Sequence, residues 1–243
     1  MSNIIQGLWI GGELSVMEVL SIKSFLDNGH EYHLYTYGDV KNVPEGTIIK
    51  DGNEILPEKD IFTYQSGFGK GSYSAFSNYF RYMLLLLKGG WWVDTDMVSV
   101  KHWYFKEDFV FISEEEHGTG NSVVNSGAIK CPKGSSIMEY CYDFCEKQDK
   151  QTLQWGTVGP KLLGEAVKKY ELDSYVKERG VFCIIAPFNS SLFIEANDKI
   201  KFPSQVFGLH LWNEAWSHFG MDKRAEHDPT CIYEQLKEKH GVK

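Results

Sequence analysis

The sequence lacks an apolar run long enough to cross a membrane. The longest such run, residues 82–87, is far shorter than the roughly 20 residues that a bilayer requires. The N-terminus also lacks a basic start followed by an apolar stretch, so no secretory signal peptide is predicted. We therefore expect a protein without a transmembrane anchor.

Cysteine is scarce, and its five positions are spaced irregularly: Cys131, Cys141, Cys145, Cys183 and Cys231. No two of them show the two-residue gap that is typical of a zinc site. Cys141 and Cys145 could share one helix face, but we favour buried thiols over a metal-binding pair. An odd number of cysteines without a pairing pattern indicates a reducing compartment.

Positively charged residues are outnumbered: the sequence has 25 Lys and Arg and 33 Asp and Glu, which gives a net charge of -8. A nucleic-acid-binding protein usually has a basic surface, so nucleic acid is not an expected partner. An acidic protein that handles an anionic nucleotide needs a metal ion or a few well-placed cations. The length of 243 residues and the apolar share of 42% predict one folded domain, residues 1–243.

The hydrophobic pattern of the chain predicts an α/β fold. Residues 3–10 and 31–37 are typical of strands, and residues 16–28 between them have helical spacing, so the chain opens as β-α-β in a parallel layer. Residues 38–71 are predicted as loops with short helical pieces. Further helices are predicted at 72–87, 135–147 and 160–170, and further strands at 91–93, 97–100, 109–113, 128–130 and 181–186.

The helix predicted at 72–87 is apolar nearly all round, which is typical of a buried helix. It also carries a polar stripe, because Ser74, Asn78 and Arg81 fall at i, i+4 and i+7. A buried arginine is costly unless an anion meets it. Two interpretations remain open from the helix alone: an internal ion pair, or a stripe that faces an anionic ligand.

Asp94 and Asp96 form a D-x-D pair directly after an aromatic strand. Side chains two apart on extended chain point the same way, and two carboxylates so close repel each other unless a cation or water lies between them. Hard divalent ions take one or two such carboxylates together with substrate phosphates. A solvated acidic turn is the alternative for a bare D-x-D. The D-x-D pair here follows a buried helix that ends at a Gly-Gly pair, and this context favours a metal site.

Two other groups of polar residues are candidates for the same site. His210 and Asn213 lie three apart in FGLHLWNEAW, residues 207–216, and both residue types can complete a metal shell. A structural histidine is the commoner outcome unless the fold brings it to Asp96. The acids at 114–116 follow a predicted strand and are candidates for acceptor contact, although three adjacent acids more often form a solvated loop.

Six short motifs resemble glycosyltransferase family 32, which is related to the core of the large clostridial glucosylating toxins. The central ones are SNYFRY at 77–82 and GGWWVDTD at 89–96. LWIGG at 8–12, NSG at 125–127, GTVGP at 156–160 and HLWN at 210–213 are similar to flanking motifs of that family and follow in the same order. The sequence departs from the family at Asn78, where Asp is usual. This puts donor preference in doubt but not activity, because an amide still forms hydrogen bonds.

The resemblance implies a GT-A fold, a Rossmann-like nucleotide-sugar-binding domain with a mixed central sheet. It also implies a catalytic group of Arg81, Asp94 and Asp96, and a Mn2+ or Mg2+ site made by Asp96, His210 and Asn213. Trp9 would stack on the nucleobase, and Trp212 would wall the donor pocket. The full set of implied donor contacts is Leu8, Trp9, Tyr37, Ser77, Asn78, Arg81, Asp94, Thr95 and Trp212.

The function implied is a retaining, metal-dependent transfer of a hexose or N-acetylhexosamine from a nucleotide sugar, with UDP-sugar as the first candidate. The expected acceptor is a glycan or glycolipid in bacterial surface polysaccharide synthesis, and the expected location is cytoplasmic with possible peripheral attachment to the inner membrane. Two alternatives stay open. One is a catalytically weak nucleotide-sugar-binding protein, and the other is a toxin-like protein glycosyltransferase.

Overall fold

Six strands form the central sheet in a computed structural model that describes residues 4–198 and 201–243. In chain order they are β1 (Ile5–Trp9), β2 (Tyr32–Thr36), β3 (Ile48–Asp51), β4 (Gly90–Val93), β6 (Val110–Glu115) and β7 (Ser122–Cys131). Their spatial order is β3-β2-β1-β4-β7-β6. The first four are parallel, and β7 runs antiparallel to both of its neighbours, so the sheet is mixed. A separate antiparallel pair joins β5 (Met97–Ser99) to β8 (Gly208–His210).

Helices cover both faces of the sheet: α1 (Val16–Asp27), α2 (Ser74–Lys88), α3 (Ser136–Glu146), α4 (Pro160–Lys169), α5 (Asn213–His218) and α6 (Ile232–Lys239). The side chains of β4 point alternately to the two faces of the sheet, and each face has its own hydrophobic core. Trp91 and Val93 pack in the cluster that contains α1, whereas Trp92 packs in the cluster that contains α2. Asp94 follows with the same period of two, so its side chain is directed toward the α2 face.

The direction of the strands explains where polar residues collect. Because β6 runs antiparallel to β7, and β7 antiparallel to β4, strands β1, β4 and β6 all point the same way. Their carboxyl ends carry Trp9, Asp94 and Glu114 at one edge of the sheet. Ligands of open α/β sheets bind at this edge.

The opening β-α-β unit and the helices predicted near 72–87, 135–147 and 160–170 are confirmed within two residues at each end. The first predicted strand included Asn3, which lies outside the described residues. Two 3-10 turns, Gly52–Glu54 and Glu58–Asp60, confirm the short helical pieces of 38–71. All five cysteines are free and buried, as expected of buried thiols.

The strand predicted at 181–186 is wrong. This segment begins with the 3-10 turn Arg179–Val181 and continues as irregular chain. The segment is apolar because it is buried and not because it is a strand. Phe182 and Cys183 pack in the core, but they do not belong to a paired strand. Their neighbour in the fold is β8, since the His210 amide donates to the Phe182 carbonyl at 3.2 Å.

Strand β3 was missed because it lies at the sheet edge, where Ile48 and Ile49 remain exposed and no alternating burial marks the sequence. Strand β8 was missed because it is only three residues long. Helices α5 and α6 were also not predicted from the hydrophobic pattern. None of the described helices has the length and apolarity needed to cross a membrane.

Candidate functional site

Arg81 on α2 is the buried cation of the polar stripe, with 3% of its surface exposed. Its guanidinium donates to the Ser77 carbonyl at 3.3 Å and to the Ser126 carbonyl, and it pairs with Asp94 Oδ1 at 3.0 Å. The same side chain lines two neighbouring cavities. Both open interpretations of the stripe therefore hold, because Arg81 forms an internal ion pair and also faces the space where a ligand can bind.

Asp94 is held at the end of β4 by two donors on one oxygen. Trp92 Nε1 donates to Asp94 Oδ1 at 2.9 Å, beside the contact with Arg81. Burial raises the pKa of the Asp94 carboxyl, and the neighbouring Asp96 carboxylate adds to that rise against the opposing charge of Arg81. A second cation next to Asp94 would relieve this repulsion.

Asp96 meets His210 through the pairing of β5 with β8. Met97 is the register partner of His210, and the Leu211 amide donates to the Asp96 carbonyl at 2.9 Å. This places His210 Nε2 3.3 Å from Asp96 Oδ1. Burial opposes both charges, but their mutual attraction prevails: it raises the pKa of His210 and, with the hydrogen bond from the Asn213 amide, lowers the pKa of Asp96.

The donor set fits a divalent ion. One ligand atom each from Asp94, Asp96 and His210 lies within 4.8 Å of the others. Two ligands at about 2.1–2.4 Å from one ion are at most about 4.2–4.8 Å apart, so a single cation can bridge the three. Asp96 Oδ1 is buried and forms no hydrogen bond of good geometry within the described residues, with His210 Nε2 as its ion-pair partner at 3.3 Å. A cation would satisfy this oxygen more fully.

Asn213 and Trp212 support this group from the start of α5. The Asn213 backbone amide donates to Asp96 Oδ2 at 2.9 Å, while its side-chain Oδ1 accepts from Lys223 Nζ at 2.7 Å. Its role as a metal ligand therefore stays a prediction. Trp212 has a left-handed backbone, with φ of 65°, and its ring stacks on His210 with centroids 3.7 Å apart. Strained residues of this kind cluster at functional sites.

The first cavity lies on the β1 side of the D-x-D pair. The sequence-predicted donor residues among its lining are Leu8, Trp9, Ser77, Arg81, Asp94 and Thr95. Lys223 Nζ lies 5.9 Å from the centroid of the Trp9 ring and forms an ion pair with buried Glu18 at 2.5 Å. Glu18 also lines this cavity and was not predicted, because its sequence signal is that of a capping box at the start of α1.

The second cavity lies on the β6 side of the same acids. It is lined by the predicted residues Asn78, His210 and Trp212, and by residues that sequence analysis did not assign, namely Tyr64, Phe68, Asn125, Trp155 and Glu214. Glu114 also lines it, which favours the acceptor-contact hypothesis over a solvated loop for this acid. The two cavities share Ser74, Arg81, Asp94, Asp96 and Glu214, so they meet at the D-x-D pair.

Tyr37 is the predicted donor residue that lines neither of these two cavities. Its hydroxyl donates to the Leu56 carbonyl at 2.8 Å, and its ring packs against Phe76 and Phe80 of α2. A donor contact of Tyr37 stays a prediction. The remaining predicted residues come together at one edge of the sheet.

The amino-acid sequence matches no protein-family model and no curated protein sequence. Solved structures are similar at low identity. The ligand-free glycosyltransferase domain of the YGT toxin aligns with a TM-score of 0.50 and 11% identity over 73% of this chain and 80% of that chain. Its UDP-bound form aligns at 0.49 and 10% identity over 73% and 79%. PaToxG glycosyltransferase aligns at 0.49 and 14% identity over 99% and 85%.

These similarities concern the fold. The chain has a glycosyltransferase-type α/β fold with a six-stranded mixed sheet, which confirms the predicted fold class. An Asp-Asp-His group with the spacing to hold a metal ion lies at the carboxyl edge of that sheet. Membership of family 32 stays a prediction.

Proposed function

We propose that this protein is a metal-dependent glycosyltransferase that moves a hexose or N-acetylhexosamine from a nucleotide sugar, with UDP-sugar as the first candidate, to a glycan or glycolipid. One observation carries the proposal. Asp94 and Asp96, which can share one divalent ion with His210, line both of two adjoining cavities in a glycosyltransferase-type fold. A two-substrate transfer needs this arrangement, with one reactant on each side of the charged group.

The charge of the site supports a metal requirement. Glu18 lines the first cavity but is already paired with Lys223 at 2.5 Å. Asp94, Asp96 and Glu214 line it as well, and Arg81 is the lining residue with positive charge. A nucleoside diphosphate would be repelled by these carboxylates unless a cation neutralised them. Mn2+ or Mg2+ held by Asp96 and His210, with Asp94 and Asn213 beside them, would stabilise the negative charge that develops on the departing diphosphate.

The lining of the first cavity supports the assignment of the nucleotide to it. Trp9 offers a ring on which a base can stack, and Leu8 and Thr95 border the same space. Arg81 and Asp94 reach the border of both cavities, where they would contact the ribose and the donor sugar. Trp212, stacked on His210, would wall the sugar on the opposite side.

The proposed reaction retains the anomeric configuration. The acceptor hydroxyl oxygen forms a bond to the anomeric carbon on the face from which the diphosphate departs, the sugar–phosphate oxygen bond breaks, and the hydroxyl proton passes to the leaving phosphate oxygen. Arg81 supplies positive charge close to that leaving group. We further propose that the enzyme acts in bacterial surface polysaccharide synthesis, in the cytoplasm or at the inner face of the membrane.

A donor screen tests the proposal. The purified protein is incubated with Mn2+ and a panel of UDP- and GDP-sugars, and release of the nucleoside diphosphate is measured. We expect release from one donor class, to water or to an added acceptor, and loss of release in Asp96→Asn. Protein that neither binds nor turns over any member of the panel would refute the function.

Asn78 gives a specific reason to test for binding without turnover. Its Nδ2 donates to the Ser74 carbonyl at 2.9 Å, while its Oδ1 is buried beside the second cavity without a hydrogen-bond partner in residues 4–198 and 201–243. An amide here cannot supply the negative charge of the family's usual Asp. Isothermal titration that shows nucleotide-sugar binding without nucleotide release would favour the catalytically weak binding protein.

A further inference from the structure

Three aromatic side chains from two segments form a wall on the second cavity. Trp155 lies 5.1 Å from Tyr64 and 4.9 Å from Phe68, measured between ring centroids. All three rings line the cavity. Trp155 is 39% exposed and Phe68 46% exposed, whereas Tyr64 is 2% exposed and supports the Trp155 ring. Two exposed rings in contact along a cavity offer an apolar wall to a ligand.

The contacts around Trp155 hold its ring in one position. A side chain at Gly69 would collide with the six-membered ring of Trp155, so the indole rests directly on the backbone of that loop. The loop itself is closed by a hydrogen bond from the Gly71 amide to the Tyr64 carbonyl at 2.9 Å. Ser72 Oγ then ties it to Glu214 Oε1 of α5 at 2.8 Å. A ring fixed in this way loses little freedom when a ligand binds to it.

A carboxylate lies in the same cavity. Glu114 Oε1 accepts from Asn125 Nδ2 at 3.1 Å, and Asn125 is itself oriented by the Gly127 amide, which donates to its Oδ1 at 2.6 Å. The hydrogen bond from Asn125 orients the Glu114 carboxyl and leaves Oε2 as its second acceptor atom. Burial raises the pKa of Glu114, as expected of a carboxyl kept away from bulk water. Glu114 therefore offers a fixed acceptor atom to a ligand hydroxyl.

We propose that the part of the second cavity lined by Trp155 and Glu114 is the acceptor subsite and that it takes a sugar ring, with the C–H face of the ring against Trp155 and one hydroxyl donating to Glu114. The donor sugar would reach Asn78 and Trp212 in the remainder of the same cavity. This inference rests on the proposed function. The cavity borders Asp94 and Asp96 from the side opposite to Trp9, so a molecule in it approaches a donor in the first cavity at the shared acids. The subsite therefore completes the two-substrate arrangement.

The chemistry of the lining favours a carbohydrate over a peptide. A sugar ring presents polarised C–H bonds on one face and hydroxyls at its edge, which match the negative face of an aromatic ring and a carboxylate acceptor. A serine or threonine side chain could reach Glu114, but its single short branch would leave Trp155 and Phe68 in water. Ligand sites of this kind combine an apolar wall with a few placed polar groups.

Glu114 acts here as an acceptor-binding residue. It accepts a hydrogen bond from a second hydroxyl of the acceptor ring, so that the attacking hydroxyl keeps its own proton for the leaving phosphate oxygen. This contact fixes the ring and thereby directs the attacking oxygen toward the anomeric carbon. The bond changes are those of the proposed transfer, with the hydroxyl proton ending on the leaving phosphate, so Glu114 finishes the cycle in the protonation state in which it began.

Saturation-transfer NMR tests the subsite on the full chain with Mg2+ and UDP present. The probes are the methyl glycosides of glucose, galactose, mannose and N-acetylglucosamine, and a mixture of serine- and threonine-containing peptides is examined in parallel. We expect saturation of the ring C–H protons of at least one glycoside. Trp155→Ala should weaken that binding about tenfold, and Trp155→Phe should restore most of it because it keeps an aromatic face.

Two comparisons make the result specific. Tyr104→Ala removes another exposed aromatic ring, 67% exposed and outside the cavity lining, and should leave glycoside binding unchanged. Glu114→Gln should raise the KM for the best glycoside acceptor in a transfer assay more than it lowers kcat, because its amide keeps the size but not the charge of the carboxylate. Circular dichroism and UDP affinity confirm that each variant is folded.

The outcomes separate this inference from the proposed function. Wild-type protein that binds UDP with Mg2+ but saturates no glycoside overturns the subsite alone. Saturation of peptides without glycosides overturns it in favour of a protein acceptor. Glycoside binding that survives Trp155→Ala unchanged also overturns it. Failure of the wild-type protein to bind UDP or any other nucleoside diphosphate with Mg2+ refutes the proposed function, and this inference with it.

Discussion

His210 Nε2 lies 3.3 Å from Asp96 Oδ1, although the two residues belong to opposite halves of the chain. Their contact depends on a short antiparallel pairing in which Met97 is opposite His210. The two-stranded sheet of β5 and β8 therefore carries a histidine to the D-x-D turn. Several predictions about chemistry and stability depend on this contact or on the strand that precedes it.

Asp96→Asn should abolish metal-dependent turnover while leaving the fold intact. The amide still offers an oxygen to the Asn213 backbone amide, which now donates to Asp96 Oδ2 at 2.9 Å, but it removes the charge that would hold the ion. Loss of an electrostatic element of this kind costs about 100- to 1000-fold in rate. Nucleotide release and Mn2+ affinity measured together check it, with the exposed acid Asp108→Asn as control. Normal turnover in Asp96→Asn would defeat the metal assignment.

Chelation of the divalent ion should abolish enzyme activity reversibly. EDTA removes a divalent ion whose proposed ligands are side chains of Asp96 and His210, and added Mn2+ should restore nucleotide release. Thermal melting gives a second readout, because an ion that binds the folded state alone raises the melting temperature in a concentration-dependent way. Full activity after exhaustive chelation would count against the cation mechanism.

Arg81→Met should destabilise the fold strongly. The methionine leaves the Asp94 carboxylate without its ion-pair partner at 3.0 Å, and breaking one side of a buried pair costs about 3–5 kcal/mol in the free energy of unfolding. Arg179→Met is the matched control, since Arg179 pairs with Glu115 at 2.6 Å on the surface. Exposed pairs contribute about 0–1 kcal/mol. Urea unfolding of both variants measures the difference, and equal losses would contradict the burial argument.

Gly89 should tolerate alanine much less well than Gly134 does. Both have positive φ, 66° and 74°, so both substitutions strain the backbone, and the ψ of -166° at Gly89 adds to the strain there because essentially only glycine adopts that combination. A Cβ at Gly89 would collide with the backbone of Lys133, whereas a Cβ at Gly134 meets no atom within 4 Å. We expect Gly89→Ala to lower the free energy of unfolding by about 1–3 kcal/mol more than Gly134→Ala. Thermal melts that give equal losses would show that the Gly-Gly stop before β4 is not tightly packed.

Glu114→Gln should change the pH dependence of stability in a defined direction. Burial raises the folded-state pKa of Glu114 above its ordinary value of 4.5, so the folded state binds this proton more tightly than the unfolded state does. The wild-type protein then loses stability from this group as pH rises from about 4.5 through the folded pKa. The melting temperature of Glu114→Gln relative to wild type should therefore increase over that range. A difference that stays constant with pH would show that Glu114 is not buried as described.

Much of the site could be predicted because its signals are local. The spacing of Ser74, Asn78 and Arg81 follows from the helical period, and the direction of Asp94 follows from the alternation along β4. Glu114 is one of three adjacent acids that the sequence marks as candidates, but no local pattern separates it from its two neighbours. Trp155 and Glu214 carry no such signal, since Trp155 lies in a loop and Glu214 in the first turn of α5. The three share a cavity only because of the tertiary structure.

The sequence by itself determined the β-α-β opening, the buried helix α2 and the acidic pair that ends β4, because these depend on periodicities of two and 3.6 residues within single segments. The tertiary structure decided which distant groups meet that pair. Pairing of β5 with β8 brought His210 to Asp96, and the insertion of antiparallel β7 between β4 and β6 directed Glu114 to the same edge. Contacts of this kind depend on which strands become neighbours, and no local pattern of residues encodes that choice.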